Sequence, residues 1–152
     1  MDMSAAATRL GALALGLHDR QVAAFNGLDD SKPAALLSFL RAKDMSVSEL
    51  EAAVGLSQSA TVRLVDRLEA EGLVRRAAKV KRVVRVSLTP AGRREAEKLA
   101  SARIAALEAV IARLEPVERD ALGWLLDRLL NALEAEGHDP RLLYRWGAIS
   151  PL

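Results

Sequence analysis

The residues most able to do chemistry in this sequence are the cationic side chains between Leu73 and Arg94. The 22 residues of this segment, LVRRAAKVKRVVRVSLTPAGRR, include eight Lys or Arg and no Asp or Glu. The rest of the chain holds 14 basic and all 20 acidic residues, so its net charge is −6. A cluster of cations without neighbouring carboxylates favours binding to a polyanion such as DNA, because it releases condensed counterions. The plainer alternative is a solvated charged surface.

Two short helices are predicted directly before this basic segment. The Ser46-Val47-Ser48-Glu49 sequence has the pattern of a capping box, and Gly55 is a natural left-handed end for the helix that follows it. Ser57 is the predicted cap of the next helix, which runs to Glu71 and stops at Gly72. Two short helices joined by a tight, glycine-containing turn are typical of a helix-turn-helix.

The second of these helices begins with small polar residues that suit contact with base edges in a major groove. The candidates for base or phosphate contact are Ser57, Gln58, Ser59, Thr61 and Arg63. Gln58 can pair with adenine through two hydrogen bonds, and Arg63 suits a phosphate or a guanine. Ser57 as a simple helix cap and Arg63 as a solvated charge are the alternatives. Leu64 and Leu68, one turn apart, are predicted to be the buried face.

The basic segment itself is predicted to form a β-hairpin followed by a helix. Leu73-Val74 and residues 83–88 are rich in β-branched residues and are predicted strands, with residues 77–82 as the hairpin tip. Thr89-Pro90 starts the following helix. A helix-turn-helix followed by a hairpin is a winged helix. The predicted phosphate contacts at the wing tip are Lys79, Lys81 and Arg82.

The stem of the wing also carries charge. Side chains alternate along a strand, so Arg75 and Arg76 are predicted to point to opposite faces. The segment contains no carboxylate of its own, and we expect it to lack local partners that neutralise it. Asp66 is predicted to be structural, because a carboxylate on a DNA-binding surface is unfavourable unless it orients an arginine.

Helical patterns flank the winged helix on both sides. Apolar residues recur at helical spacing from about Ser4 to Phe25, and Ser31 is the predicted cap of a second helix. Long apolar helices are predicted to start at Pro90 and at Pro116. Residues 139–152 are predicted to be an irregular tail, with Tyr144, Arg145 and Trp146 either clamped onto a partner subunit or loose.

The predicted fold class is mainly α with a small β-wing, in a single domain over residues 1–152. Residues 31–94 are the predicted winged helix-turn-helix DNA-binding lobe. Residues 1–27 and 95–152 are the predicted helical dimerisation region, because their apolar faces exceed what a small winged-helix core can cover.

The motifs of this layout resemble the MarR (multiple-antibiotic-resistance regulator) family of bacterial transcription factors. The resemblance lies in Val65-Asp66-Arg67-Leu68-Glu69, Gly72-Leu73-Val74 and Leu88-Thr89-Pro90-Ala91-Gly92, and its strong part covers residues 46–94. It implies a homodimer whose two winged-helix lobes read an approximate palindrome on double-stranded DNA. It also implies regulation, most often repression, that a small aromatic or anionic effector relieves.

The wing departs from the family pattern at Val80. Relatives usually carry Asp-x-Arg in the wing, where the Asp orients an Arg in the minor groove. The corresponding residues here are Val80, Lys81 and Arg82. An exposed Arg still binds a narrow minor groove electrostatically, but with a looser placement.

Four residues are candidates for the lining of an effector pocket: His18, Val22, Phe25 and Phe39. The alternative is ordinary dimer packing.

The sequence argues against several other functions. It has no cysteine, and its two histidines, His18 and His138, are far apart without an acidic cluster, so no metal or cofactor is expected. It contains neither a glycine-rich phosphate loop nor a nucleophile beside a base, so an enzyme is not expected. No signal peptide or membrane span is visible, which predicts a cytoplasmic protein.

The predicted function is a sequence-specific, DNA-binding transcriptional regulator that acts as a homodimer. One alternative is a helical dimeric module for protein interaction or ligand binding, on a winged-helix scaffold that no longer reads sequence. Another is a DNA-architecture protein that binds without sequence preference.

Overall fold

The computed structural model describes residues 1–27, 31–77 and 81–147. Within these residues the chain is mostly helical and has one small antiparallel sheet, so the predicted fold class is confirmed. The helices are α1 (Met3–Ala24), α2 (Ser31–Arg41), α3 (Val47–Val54), α4 (Gln58–Ala70), α5 (Pro90–Ile111) and α6 (Pro116–Ala135). The strands are β1 (Met45–Ser46), β2 (Val74–Arg76) and β3 (Arg85–Leu88).

Three of the predicted helix caps are present. The Ser46 hydroxyl accepts a hydrogen bond from the Glu49 N–H at 3.1 Å, and the Ser57 hydroxyl accepts one from the Ala60 N–H at 3.2 Å. The Thr89 hydroxyl accepts one from the Gly92 N–H at 3.0 Å. These bonds fix where α3, α4 and α5 begin, because each satisfies an N–H without a partner inside its helix. Ser31, also predicted as a cap, is instead the first residue of α2.

The sheet has the order β1-β3-β2, and both strand pairs are antiparallel. The predicted hairpin of the wing is the β2–β3 pair, in which Val74 faces Leu88. Strand β1 was not predicted, because two residues are too short to show the alternation that identifies a strand. Its pairing of Met45 with Val86 ties the start of the helix-turn-helix to the wing.

The hydrophobic core lies in the lobe formed by α2, α3, α4 and the sheet. Its central side chains are almost completely buried and include Leu36, Phe39, Met45, Leu50, Val65, Leu68, Val74 and Val86. Ala96 and Leu99 extend this core onto the first half of α5. The predicted buried face of α4 is confirmed, since Leu64 and Leu68 are 2% and 0% exposed.

The C-terminal turn, Leu142–Trp146, is a single turn of π-helix that packs against α2. Tyr144 contacts the core, and Trp146 stacks on the Arg103 guanidinium at 3.7 Å from the ring centroid. The prediction of an irregular tail is therefore wrong for these residues. Tyr144 and Trp146 pack on their own chain and are not loose.

No helix among residues 1–27, 31–77 and 81–147 is long and apolar enough to span a membrane.

The junction between the wing and α5 depends on Gly92. A Cβ atom at this position would lie 1.8 Å from the Leu73 carbonyl oxygen. That oxygen accepts a hydrogen bond from the Thr89 N–H at 3.0 Å, and the Thr89 hydroxyl donates to the Gly72 carbonyl at 2.6 Å. Backbone from both ends of the wing thus meets at the first turn of α5, where only glycine fits.

We expect Gly92→Ala to lower the free energy of unfolding by about 1–3 kcal/mol, because the added methyl group forces α5 away from Leu73. Urea unfolding followed by circular dichroism measures this change. Ala91→Gly is the matched control, since it alters one methyl group at the neighbouring exposed position and should cost at most about 1 kcal/mol. Equal stabilities of Gly92→Ala and the unchanged protein would contradict the close approach.

Candidate nucleic-acid interface

Helix α4 presents one polar face to solvent and packs its other face on the core. Ser57, Gln58, Ser59 and Arg63 are all exposed at its N-terminal end. The Ser57 and Ser59 hydroxyls lie 3.4 Å apart, and Ser57 also caps the helix. Backbone N–H groups and the positive end of the helix dipole meet at this N-terminus, so the surface suits a phosphate or the edge of a base.

Thr61 does not belong to this surface. Its side chain is 0% exposed, and its hydroxyl donates a hydrogen bond to the Ser57 carbonyl at 2.8 Å. The prediction that Thr61 contacts DNA is therefore wrong. The helical spacing explains it, because Thr61 lies three and four residues before Leu64 and Val65 on the buried face of α4.

The described part of the wing tip carries two exposed cations. Lys81 and Arg82 adopt left-handed backbone conformations with φ of 50° and 69°. This conformation is uncommon for residues other than glycine and lets the chain turn sharply into the return strand. Lys79 and Val80, the other predicted residues of the tip, lie outside the described residues.

Arg85 on the wing stem is neutralised by two carboxylates from the lobe. Its Nε donates to the Asp44 Oδ1 at 2.7 Å, and its Nη1 donates to the Glu49 Oε1 at 2.8 Å. The bonds to Glu49 and then to Asp44 raise the pKa of Arg85 above its ordinary value. Glu49, predicted to complete a capping box, thus bonds through its carboxylate to Arg85 and ties α3 to strand β3.

Arg76 is neutralised in the same way by α4. Its guanidinium donates to the Asp66 carboxylate, and its Nη1 donates to the Glu69 Oε1 at 2.7 Å. The bond to Asp66, followed by the interaction with Glu69, raises the pKa of Arg76. Asp66 is structural, as predicted, and Arg75 on the opposite face of the strand is exposed.

The expectation that the basic segment lacks local partners is therefore wrong for Arg76 and Arg85. Their partners come from other parts of the chain and cannot be found by counting charges within the segment. The cations that remain exposed without an ion pair to any described residue are Arg75, Lys81, Arg82, Arg93 and Arg94. Arg76 and Arg85 hold the wing to the lobe. The five exposed cations give the surface of the segment its net positive charge.

A second surface, formed by α1, the end of α5 and α6, is apolar. None of the residues of α6 is buried. Its exposed side chains include Trp124 at 61%, Leu129 at 45% and Leu133 at 53%. Leu10 and Leu13 on α1 are each 49% exposed, and Ile104 on α5 is 43% exposed. Exposed apolar side chains in this number are typical of a subunit interface.

An open cleft of about 720 Å³ lies between α1, α5, α6 and the C-terminal segment. Its lining includes His18, one of the four residues predicted for an effector pocket. Phe25 and Phe39 do not line it, because they are 2% and 1% exposed within the core of the lobe. Val22 is partly exposed on α1 and is not part of the lining either. The prediction of a pocket built from all four residues is therefore wrong.

Sequence reasoning missed the remaining lining residues. These are Ala14, Leu17, Gln21, Leu107, Leu126, Leu130, Asp139, Arg141, Leu142, Arg145 and Trp146. Five of them belong to residues 139–146, which carry no periodic pattern and are placed here only by tertiary packing.

The three helices of the lobe, with a recognition-type helix α4 and the β2–β3 hairpin directly after it, define a winged helix-turn-helix protein. A model of the MarR family matches residues 26–82. A MarR family transcriptional regulator from Silicibacter pomeroyi is 30% identical, and the match covers 80% of this chain and 82% of that one with a TM-score of 0.56. The chain belongs to the MarR family, as its sequence motifs indicate.

Two further solved structures are similar over most of the chain. A MarR family protein from Bacillus stearothermophilus is 28% identical, with 88% of this chain and 98% of that one covered and a TM-score of 0.78. A MarR family protein from Mycobacterium tuberculosis, solved in complex with p-aminosalicylic acid, is 26% identical, with 85% and 98% covered and a TM-score of 0.63. No curated protein sequence gives a significant match.

We expect Arg85→Gln to lower the free energy of unfolding by about 1–2 kcal/mol, because it removes a charged donor shared by Asp44 and Glu49. Thermal unfolding at low ionic strength measures this loss. Arg75→Gln, the matched change at an exposed stem residue, should alter stability by less than about 0.5 kcal/mol. Equal effects of the two substitutions would show that the ion pairs do not hold the wing.

Proposed function

We propose that this protein is a homodimeric transcriptional regulator that binds a pseudo-palindromic site on double-stranded DNA and acts as a repressor. The observation that carries the proposal is the separation of charge on the lobe. Arg76 and Arg85, which face the lobe, are neutralised by carboxylates, while Arg75, Lys81 and Arg82 of the wing and Arg63 of α4 are exposed. This arrangement supports groove reading by α4 and phosphate contact by the wing.

In this proposal Gln58 and Arg63 read base edges, and Ser57 and Ser59 bond to phosphates or bases. Lys81 and Arg82, together with Lys79, supply phosphate or minor-groove contacts from the wing. Binding by these cations releases counterions, so affinity falls with rising salt.

The apolar surface of α1, α5 and α6 supports the homodimer. Residues 1–27 and 95–152 act as the dimerisation region, and residues 31–94 act as the DNA-binding lobe. Two copies place two α4 helices on one duplex, with half-sites about one helical turn apart.

The cleft beside α1 supports control by a small molecule. The similar Mycobacterium tuberculosis protein was solved with p-aminosalicylic acid. A ligand changes DNA binding only through its different affinities for the bound and free states of the dimer.

The substitutions Arg82→Gln and Lys81→Gln test the predicted contacts between the wing and DNA. Binding is measured to a labelled duplex from the gene's own upstream region and to a shuffled duplex. Each substitution should weaken binding to native and shuffled duplexes alike and lower the slope of log affinity against log salt by about one. Lys98→Gln, an exposed cation further along α5, is the control and should change neither quantity. Unchanged salt slopes in the wing variants would remove the wing from the interface.

The substitution Gln58→Ala, measured with the same duplexes, tests whether Gln58 reads a base in the groove. We expect a loss of about 1–3 kcal/mol on the native duplex and little loss on the shuffled one, because a base contact carries sequence information. Fluorescence anisotropy at two salt concentrations measures both affinities. If the unchanged protein bound both duplexes equally, a DNA-architecture role would replace sequence reading, and absence of binding at low salt would favour an interaction module.

The dimer prediction is tested by placing a charge on the apolar face of α6. Leu129→Glu should convert the dimer to a monomer in sedimentation equilibrium, because a carboxylate cannot be buried unpaired at the interface. The circular dichroism spectrum should be unchanged, because Leu129 is not part of the hydrophobic core of the lobe. Asp120→Lys, an exposed substitution on the same helix, controls for a general effect of charge. A dimer that survives Leu129→Glu would place the interface elsewhere.

A further inference from the structure

The C-terminal turn, Leu142–Trp146, lies where helix α5 leaves the core of the lobe. Leu99 is the last buried residue of α5 in the hydrophobic core, and Arg103 follows it one helical turn later. The Arg103 side chain is 7% exposed, and its Nε is buried without a hydrogen-bond partner among the described residues. Burial lowers the pKa of Arg103 to about 10, so the guanidinium still carries its charge at neutral pH.

Trp146 covers this buried cation. The Cζ atom of Arg103 is 3.7 Å from the centroid of the Trp146 ring. Tryptophan offers a cation the most favourable aromatic face, and the attraction is stronger where water is excluded. No carboxylate of the described residues forms an ion pair with Arg103. The ring therefore offsets part of the free energy lost when this charge is buried, and the contact fixes the C-terminal turn on α5.

The other side of the C-terminal turn contacts the lobe. Tyr144 packs against the hydrophobic core, and Gly147 lies so close to the Arg41 guanidinium of α2 that a Cβ atom would have no room. Arg141, directly before the turn, brings its Cδ close to Gly55, which ends α3. The turn also contacts α3 itself. One short segment thus touches α5 on one side and the helix-turn-helix on the other.

We propose that Trp146 is a positioning residue for DNA binding, which braces the lobe against α5 through its contact with Arg103. Without this brace, fewer contacts hold the lobe on α5, and the angle between them should vary more. In a dimer that pairs through α1, α5 and α6, this angle sets the distance between the two α4 helices. The effect on DNA rests on the proposed function, whereas the brace itself is a property of one chain.

The distance between two spin labels in one chain tests the brace without DNA. The chain has no cysteine, so Ala70→Cys at the end of α4 and Ala112→Cys directly after α5 place labels only at these two exposed positions. Labelled protein is mixed with an excess of unlabelled protein, so that the measured distances lie within one chain. We expect one narrow distribution of distances, which Trp146→Ala should broaden by about twofold because the lobe is held less firmly.

Two control variants separate positioning from stability. Trp146→Phe keeps an aromatic face for Arg103 and should retain the narrow distribution. Val65→Ala shortens a fully buried side chain and should lower the melting temperature, but it leaves the C-terminal turn in place and should not broaden the distribution. Arg103→Ala is a second variant with the same expected broadening, should Trp146→Ala fail to fold.

The spacing of the DNA half-sites tests the consequence for binding. The duplex that the unchanged protein selects from a randomised pool is compared with a duplex that has one extra base pair between the half-sites, and with a single half-site. The extra base pair should weaken binding of the unchanged protein by at least about tenfold, because two lobes at a fixed separation cannot both engage. For Trp146→Ala this penalty should fall below about threefold, while affinity for the single half-site is unchanged because α4 and the wing are unaltered.

Unchanged distance distributions in both Trp146→Ala and Arg103→Ala would overturn the brace. Equal broadening by Val65→Ala would also overturn it, because a general loss of stability would then explain the effect. A broadened distribution with an undiminished spacing penalty would overturn the role of Trp146 in DNA binding. If the unchanged protein bound no DNA, the proposed function would fail, whereas the distances within one chain would still decide whether Trp146 braces the lobe.

Discussion

The apolar surface that α6 cannot bury within its own chain is the constraint on which the proposed assembly depends. No residue of α6 is buried, although leucines recur along its length. The hydrophobic effect favours removal of such a surface from water, and in the proposed assembly a second copy of the chain covers it. In the proposed dimer, pairing through α1, α5 and α6 leaves both lobes free, so the burial that stabilises this dimer also sets the separation of its two α4 helices.

The lobe is held together by core packing, strand pairing and ion pairs within the chain. Its core fixes α4 through one apolar face, and the sheet fixes the wing through the pairing of Met45 with Val86. Arg76 and Arg85 add charged contacts between the wing and the helices. Because these two arginines are satisfied internally, DNA affinity in the proposed mode rests on the cations that remain exposed, such as Arg75 and Arg82.

The sequence predicted most of the lobe because its signals are local. Caps at Ser46, Ser57 and Thr89 and the left-handed glycine at Gly55 each act within four residues and give helix boundaries directly. The MarR motif includes Gly92. The structure gives the physical reason for this glycine, because the Leu73 carbonyl oxygen occupies the space that a Cβ atom would need.

The features that the sequence did not reveal depend on contacts between distant residues. Thr61 is a residue type that suits contact with base edges, but its position along α4 places it on the buried face of the helix. The partners of Arg85 lie 36 and 41 residues away, so a charge count within the wing misses them. The sequence predicts that Phe25 and Phe39 line a pocket, whereas both side chains are buried in the core of the lobe.

The most direct test of the central claim is selection of binding sites by the purified protein from a pool of randomised duplexes. A dimer that reads DNA with two α4 helices predicts an enriched inverted repeat whose half-sites are about 10 base pairs apart, centre to centre. Enrichment of a single unrepeated half-site would contradict the dimeric reading mode. A bound pool with no enriched sequence would contradict sequence recognition by α4.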